Sequence, residues 1–164
     1  ISRRDLWVSE PATTNNRMAL RSVIETFDAL GAKGQRFRVV FTTDSRYIVD
    51  GMTSWVHGLA RAGWKRKTGP IENLALWHDA LRTAGTHLVE WRWVRGHNGH
   101  PQNEYANHLA TSAAANRSAS GGAVESGFDS WLDAYRAKGG RVHEVAAFPD
   151  SASFKAAPAL PRVP

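Results

Sequence analysis

Cysteine is absent from the 164 residues, which excludes a disulfide-stapled scaffold and any thiolate-held metal. No apolar run approaches twenty residues, so no helical membrane span and no membrane partner is expected. The chain begins at Ile1 without a charged-then-apolar leader, and a cytoplasmic or organelle-matrix home is the expectation. Acidic side chains are in short supply, 15 against 21 Lys and Arg, for a net charge of +6. That surplus attracts polyanions, nucleic acid first. Internal repeats are absent as well.

What is present is unevenly spread. Residues 1–110 carry 15 basic and 10 acidic groups, net +5, whereas residues 111–164 carry 6 and 5, net +1. The later part is rich in Ala, Ser, Gly and Pro, so a folded domain is expected over 1–115 and a tail over 116–164. Within the domain, 5–9 suits a short strand. The cap-rich Thr13-Thr14-Asn15-Asn16 precedes a helix over 17–30, whose Leu20, Val23, Ile24, Phe27 and Leu30 share one face. Further helices are expected over 45–52, 55–61, 72–83 and 101–115, with strands over 37–41 and 88–94. Helices alternating with strands indicate an α/β fold with parallel strands. In the tail, Phe128, Trp131, Leu132 and Tyr135 fall at i, i+3, i+4 and i+7 of a helix near 126–138. That face suits docking on the domain or on a protein partner. Residues 148–164 read as disordered or extended, and Pro149 argues against a strand ending at Asp150.

Asp44 follows the apolar run 39–41, at the end of an inner strand where α/β sheets gather ligands. It is either a hard oxygen donor for Mg²⁺ or, with Ser45, the cap of the next helix. Arg61, Lys65, Arg66 and Lys67 run without an acid among them and are interleaved with Trp64. Cations neutralise phosphates and indoles lie against bases or sugars, although such a run also serves as a plain solvated face. His97 and His100 flank Asn98-Gly99. A proton shuttle suits this glycine-rich loop better than a metal pair, because an imidazole titrates near neutrality. His57, His78, His87, His108 and His143 show no ligand spacing and read as surface or packing residues.

Four blocks in order resemble type 1 ribonuclease H: Thr13-Thr14-Asn15-Asn16-Arg17-Met18; Thr43-Asp44-Ser45-Arg46-Tyr47; Gly63-Trp64-Lys65 followed by Leu76-Trp77; and Trp93-Val94-Arg95-Gly96-His97-Asn98-Gly99-His100-Pro101 with Asn103-Glu104. The resemblance covers about 5–115. It implies a ribonuclease H-like mixed sheet flanked by helices, N-terminally truncated here, and cleavage of the RNA strand of RNA–DNA hybrids with Mg²⁺, or Mn²⁺ in its place. It implies that Thr14, Asn15 and Asn16 contact the hybrid, where 2′-hydroxyls and groove width distinguish it from DNA duplex. By the same resemblance, Trp55, Arg61, Trp64 and Lys65 belong to a basic protrusion on the DNA strand, and Arg46 joins the binding set. His97 corresponds to a mobile loop histidine that helps protons or product leave. Asp44 corresponds to a metal-binding carboxylate.

The departures carry as much weight. The family places four carboxylates around two metal ions. The first would precede Ile1, the second position is Ala19, and the fourth is Asn107. Asn107 keeps a carbonyl oxygen and ligates weakly; Ala19 cannot ligate at all; Glu104 is at most a supporting ligand. One carboxylate does not hold two ions about 3.5–4 Å apart, so this chain is expected to be a weak or inactive nuclease. The competing expectation is a catalytically silent module that binds hybrid or RNA, such as a structural subunit of a ribonucleoprotein.

Overall fold

The computed structural model describes residues 1–164. Helix α1 (Asn15–Gly31) begins where Thr14 Oγ1 accepts the Arg17 N–H at 3.2 Å, satisfying one of the orphan donors of a first turn. Its Leu20, Val23 and Phe27 are buried. Strands β2 (Arg38–Thr43) and β3 (Leu88–Trp93) pair in parallel, with Val39 opposite Val89 and Thr43 opposite Trp93. Parallel strands need a long crossover. Here it comprises α2 (Arg46–Asp50), a π-helical turn (Gly51–Trp55), α3 (Val56–Arg61) and α4 (Leu74–Ala84).

The chain forms two compact units, and the larger holds Thr13–Trp93 with Pro149–Pro164. Its core joins Leu20, Val23 and Phe27 to Ile48, Met52, Val56, Trp77, Leu81, Val89 and Trp91. Each such side chain taken out of water contributes roughly 1.5–3 kcal/mol. Phe27 meets Phe41, His87 and Trp91 with ring centroids 5.9, 5.6 and 6.0 Å away. His87 is buried and its Nδ1 accepts the Phe37 N–H at 3.0 Å. Burial first, and Arg36 second, lower its pKa, because both disfavour the imidazolium.

Residues 149–164 are extended, as expected, and they are packed. Leu88 donates its N–H to Phe37 O, so Val89 turns its carbonyl to the opposite edge. There it accepts the Ala157 N–H at 2.8 Å. Lys155 N–H donates to Glu90 Oε2 at 3.1 Å. Arg92, and then this amide, hold the Glu90 carboxyl below its usual value. Ala157, Leu160 and Val163 pack against the core, and the segment covers an edge that would otherwise invite pairing. No strand ends at Asp150. Its Oδ1 instead accepts the Ala152 N–H and caps a 3₁₀ turn at Ser151–Ser153.

The smaller unit holds Ile1–Ala12 with Val94–Phe148. The strand expected over 5–9 is reduced to β1 (Arg4–Asp5), antiparallel to β4 (Val124–Glu125). Its partner is only two residues long, and Trp7 turns its N–H and carbonyl to Ser120 instead. Helix α5 (Pro101–Asn116) starts with proline, which lacks the N–H that a first turn cannot use. Helix α6 (Phe128–Ala137) lays Phe128 and Leu132 against Tyr105. Of the two occupants expected for its apolar face, the chain itself is the one observed. Phe128 and Leu132 are 3% and 6% exposed and thus unavailable to a partner.

Asp5 organises this unit. Its buried carboxylate accepts from Tyr105 Oη at 2.5 Å, Ser126 Oγ at 2.7 Å and Gly127 N at 3.0 Å. Removing one donor from a buried, charged acceptor costs about 1–3 kcal/mol, and Tyr105→Phe should lower unfolding free energy by that amount in urea. Burial, then the Asp5 hydrogen bond, push the Tyr105 phenol up to about 12, above its unfolded value of about 10. Its contribution is therefore complete below pH about 10 and lost as pH rises through 12. Equal stability of wild type and variant across that range would remove Asp5–Tyr105 from this role.

Candidate nucleic-acid interface and carboxylate site

In the larger unit, Asp44 stands exposed directly after β2. The cap of α2 is its neighbour: Ser45 Oγ accepts the Ile48 N–H at 3.2 Å. Thr43 Oγ1 accepts the Ser45 N–H at 3.1 Å. The Asp44 carbonyl accepts Trp93 Nε1–H at 3.1 Å, and the Arg46 guanidinium lies 4.1 Å from the Trp93 ring centroid. Parallel register thus places a carboxylate, an indole 39% exposed and a stacked cation at one sheet end. Sequence reasoning gave Trp93 no role; the signal was a tryptophan one register step from the carboxylate on the paired strand.

The basic segment is built on an aromatic cage. Trp77 Nε1–H donates to Tyr47 Oη at 2.7 Å, and the Trp55 and Trp77 centroids are 4.5 Å apart. The π-helical turn brings Gly51 beneath them, and a Cβ at Gly51 would collide with the Trp77 ring. Trp64 takes a left-handed φ of 62°, donates its N–H to Leu59 O at 2.8 Å and sets its ring edge-on to His78 at 4.7 Å. Arg61 and Lys65 are exposed beside these half-buried rings. Arg66 is partly spent locally, donating Nη2–H to Pro70 O at 2.8 Å. Trp55, Arg61 and Arg66 line an open groove of about 610 Å³. At the start of α1, Asn15 and Asn16 are exposed, while the Thr14 hydroxyl serves as the helix cap.

In the smaller unit, His97 is exposed with φ +53°. His100 caps α5, its Nδ1 accepting the Asn103 N–H at 3.1 Å, which accounts for this histidine without a metal. Glu104 Oε1 accepts the Gly99 N–H at 3.4 Å. Asn107 is exposed three residues further along the same helix.

The family model for RNase H matches residues 3–115. The chain belongs to the ribonuclease H family. A Ribonuclease H from Erythrobacter litoralis is 47% identical over 112 residues, spanning 68% of this chain and 76% of that protein. One from Rhodospirillum rubrum is 46% identical over 110 residues, 66% of this chain and 64% of the relative. The crystal structure of LC9-RNase H1, described as a type 1 RNase H with the type 2 active-site motif, superposes with a TM-score of 0.94 at 64% identity. It covers 99% of this chain, which in turn spans 76% of that one. The α/β architecture is therefore that of ribonuclease H.

A divalent metal generally serves this ribonuclease H family. The residues present do not assemble a centre for it, since no three His, Cys, Asp or Glu side chains come together in the structure. Ala19 is half-buried against the core and offers only a methyl group. Asp44 is the one carboxylate at the end of β2. Within the larger unit, the cage decides how the aromatic groups are presented, and Gly51→Ala should disrupt it. Overpacking of this kind costs about 1–3 kcal/mol. A lowered urea midpoint with an altered near-ultraviolet circular dichroism band is expected, and an unchanged spectrum would show that the rings do not close over Gly51.

Proposed function

We propose that this ribonuclease H family member binds RNA–DNA hybrids, or RNA, through the face that presents Trp55, Arg61, Trp64 and Lys65, with Asn15, Asn16 and Arg46 as further contacts. The observation that carries this reading is the aromatic cage, which supports half-buried indoles with exposed cations beside them. Cations set phosphate affinity and rings accept stacked bases or sugars. The family match to 3–115 supports placing this face within 1–115, and the segment 116–164 follows it in sequence and packs into both compact units.

The reaction class is hydrolysis of the RNA strand, with Mg²⁺ or Mn²⁺ as cofactor, and the relatives named Ribonuclease H support it over a silent module. Asp44 in the larger unit, and the Asn107 carbonyl in the smaller one, would each offer an oxygen donor, with Glu104 as a supporting group and His97 as the group that assists protons or product. These donors do not by themselves account for a two-metal site, so hydrolysis is expected to be slow. LC9-RNase H1 is described as a type 1 RNase H with the type 2 active-site motif, which supports reading the donor set of this chain as a variant one.

A gel assay on an RNA–DNA hybrid, following binding and cleavage together in Mg²⁺ and in Mn²⁺, tests the reading. Replacing Trp64 and Lys65 together by Ala should weaken hybrid binding by about 1–3 kcal/mol for the lost stack and reduce the log–log salt slope by about one. Unaltered affinity and slope would sink the role of this face. Any metal-dependent cleavage should vanish in Asp44→Asn; activity that survives places the chemistry elsewhere.

A further inference from the structure

His143 looked like an ordinary surface residue in the sequence, and the structure gives it two bonds to the loop that carries His97. Two residues of that loop are left-handed, His97 at φ +53° and Gly99 at φ +81°. A side-chain-bearing residue stays in that region only where its surroundings hold it. From one side, α5 holds the loop through Glu104 Oε1 and the Gly99 N–H. From the other, His143 donates its backbone N–H to Gly99 O at 2.8 Å and sets its ring Nε2 2.9 Å from Asn98 O. A carbonyl only accepts, so Nε2 carries the proton in this contact.

The fit is close. A Cβ on Gly99 would lie 3.1 Å from His143 Nε2 and 3.2 Å from Cδ2, so a larger residue there would push the ring away. The clamp is itself anchored. Arg136 Nη2–H on α6 donates to the His143 carbonyl at 3.2 Å, and the flanking Val142 and Val145 pack against the cluster of Tyr105, Phe128 and Leu132. Two consecutive loop carbonyls are therefore tied to a segment that lies beyond the family match, which ends at residue 115.

We infer that His143 is a positioning residue: it clamps the loop 95–99, so that the segment following α6 sets how freely His97 moves when nucleic acid leaves. The inference rests on the proposed placement of His97 at the bound hybrid. Freeing the loop should speed release of hybrid, because a loop held in one conformation must move as a unit with its clamp.

Amide hydrogen exchange on the full chain, paired with dissociation of a labelled RNA–DNA hybrid, tests this. His143→Ala removes only the Nε2 bond to Asn98 O. The loosened loop should speed exchange at the Gly99 amide held by Glu104 and at the residue 143 amide held by Gly99 O by up to about tenfold, the worth of one hydrogen bond, with α6 amides unchanged. Hybrid dissociation should accelerate by a similar factor. His143→Gln keeps a side-chain N–H donor and should restore both, whereas His143→Leu, which keeps bulk without a donor, should not. Unchanged exchange in His143→Ala overturns the clamp, and so does a general loss of protection across α6. Faster exchange with unchanged dissociation overturns its effect on release. A wild-type chain that binds no hybrid overturns the placement of His97, while the exchange result still decides whether the clamp exists.

Discussion

Parallel pairing of β2 and β3 is the constraint from which most of the larger unit follows. Two parallel strands cannot be joined by a tight turn, so α2, the π-helical turn, α3 and α4 must fill the crossover and bury a face against the strands. The same pairing sets Thr43 opposite Trp93. Asp44 therefore emerges where the Trp93 indole can bond its carbonyl and hold Arg46 on its ring. One register decision brings a carboxylate, an aromatic surface and a cation to one end of the sheet.

Two buried polar residues are accommodated by opposite means. Asp5 is surrounded by three donors from Tyr105, Ser126 and Gly127, so a carboxylate is compatible with its burial. His87 receives an N–H from Phe37 on Nδ1, and burial with Arg36 nearby disfavours its charged form. The first ties β1 to α5 and to the start of α6. The second lies among the aromatic rings beneath the strands. Each allows chain segments distant in sequence to meet without an unsatisfied charge.

The tail contributes to both units. Residues 149–164 close the free edge of β3 and pack Leu160 and Val163 on the core, while α6 covers Tyr105. The α6 face was readable from its spacing, but low-complexity composition concealed the packing of 149–164, because Ala, Ser and Pro carry little periodic signal. What such residues do offer is small size and a stiff extended backbone, which suits a strap laid along a strand edge. The Glu90 carboxylate, turned to the Lys155 amide, fixes where that strap begins.

Periodicity and punctuation alone determined much of this protein. The face Leu20–Val23–Phe27, the cap at Thr14, the proline opening α5 and the alternation of helix with strand were all readable, because local backbone chemistry sets them. The ordered motif blocks led to the ribonuclease H family. Tertiary structure alone decided the rest. It made Ser45 rather than Asp44 the helix cap, assigned His100 to α5, turned Arg66 back on its own loop and brought His143 to Asn98 and Gly99. The first three are choices among competing donors and acceptors three or four residues apart, which residue type alone leaves open; the last joins groups 45 residues apart, and spacing along the chain does not encode that distance.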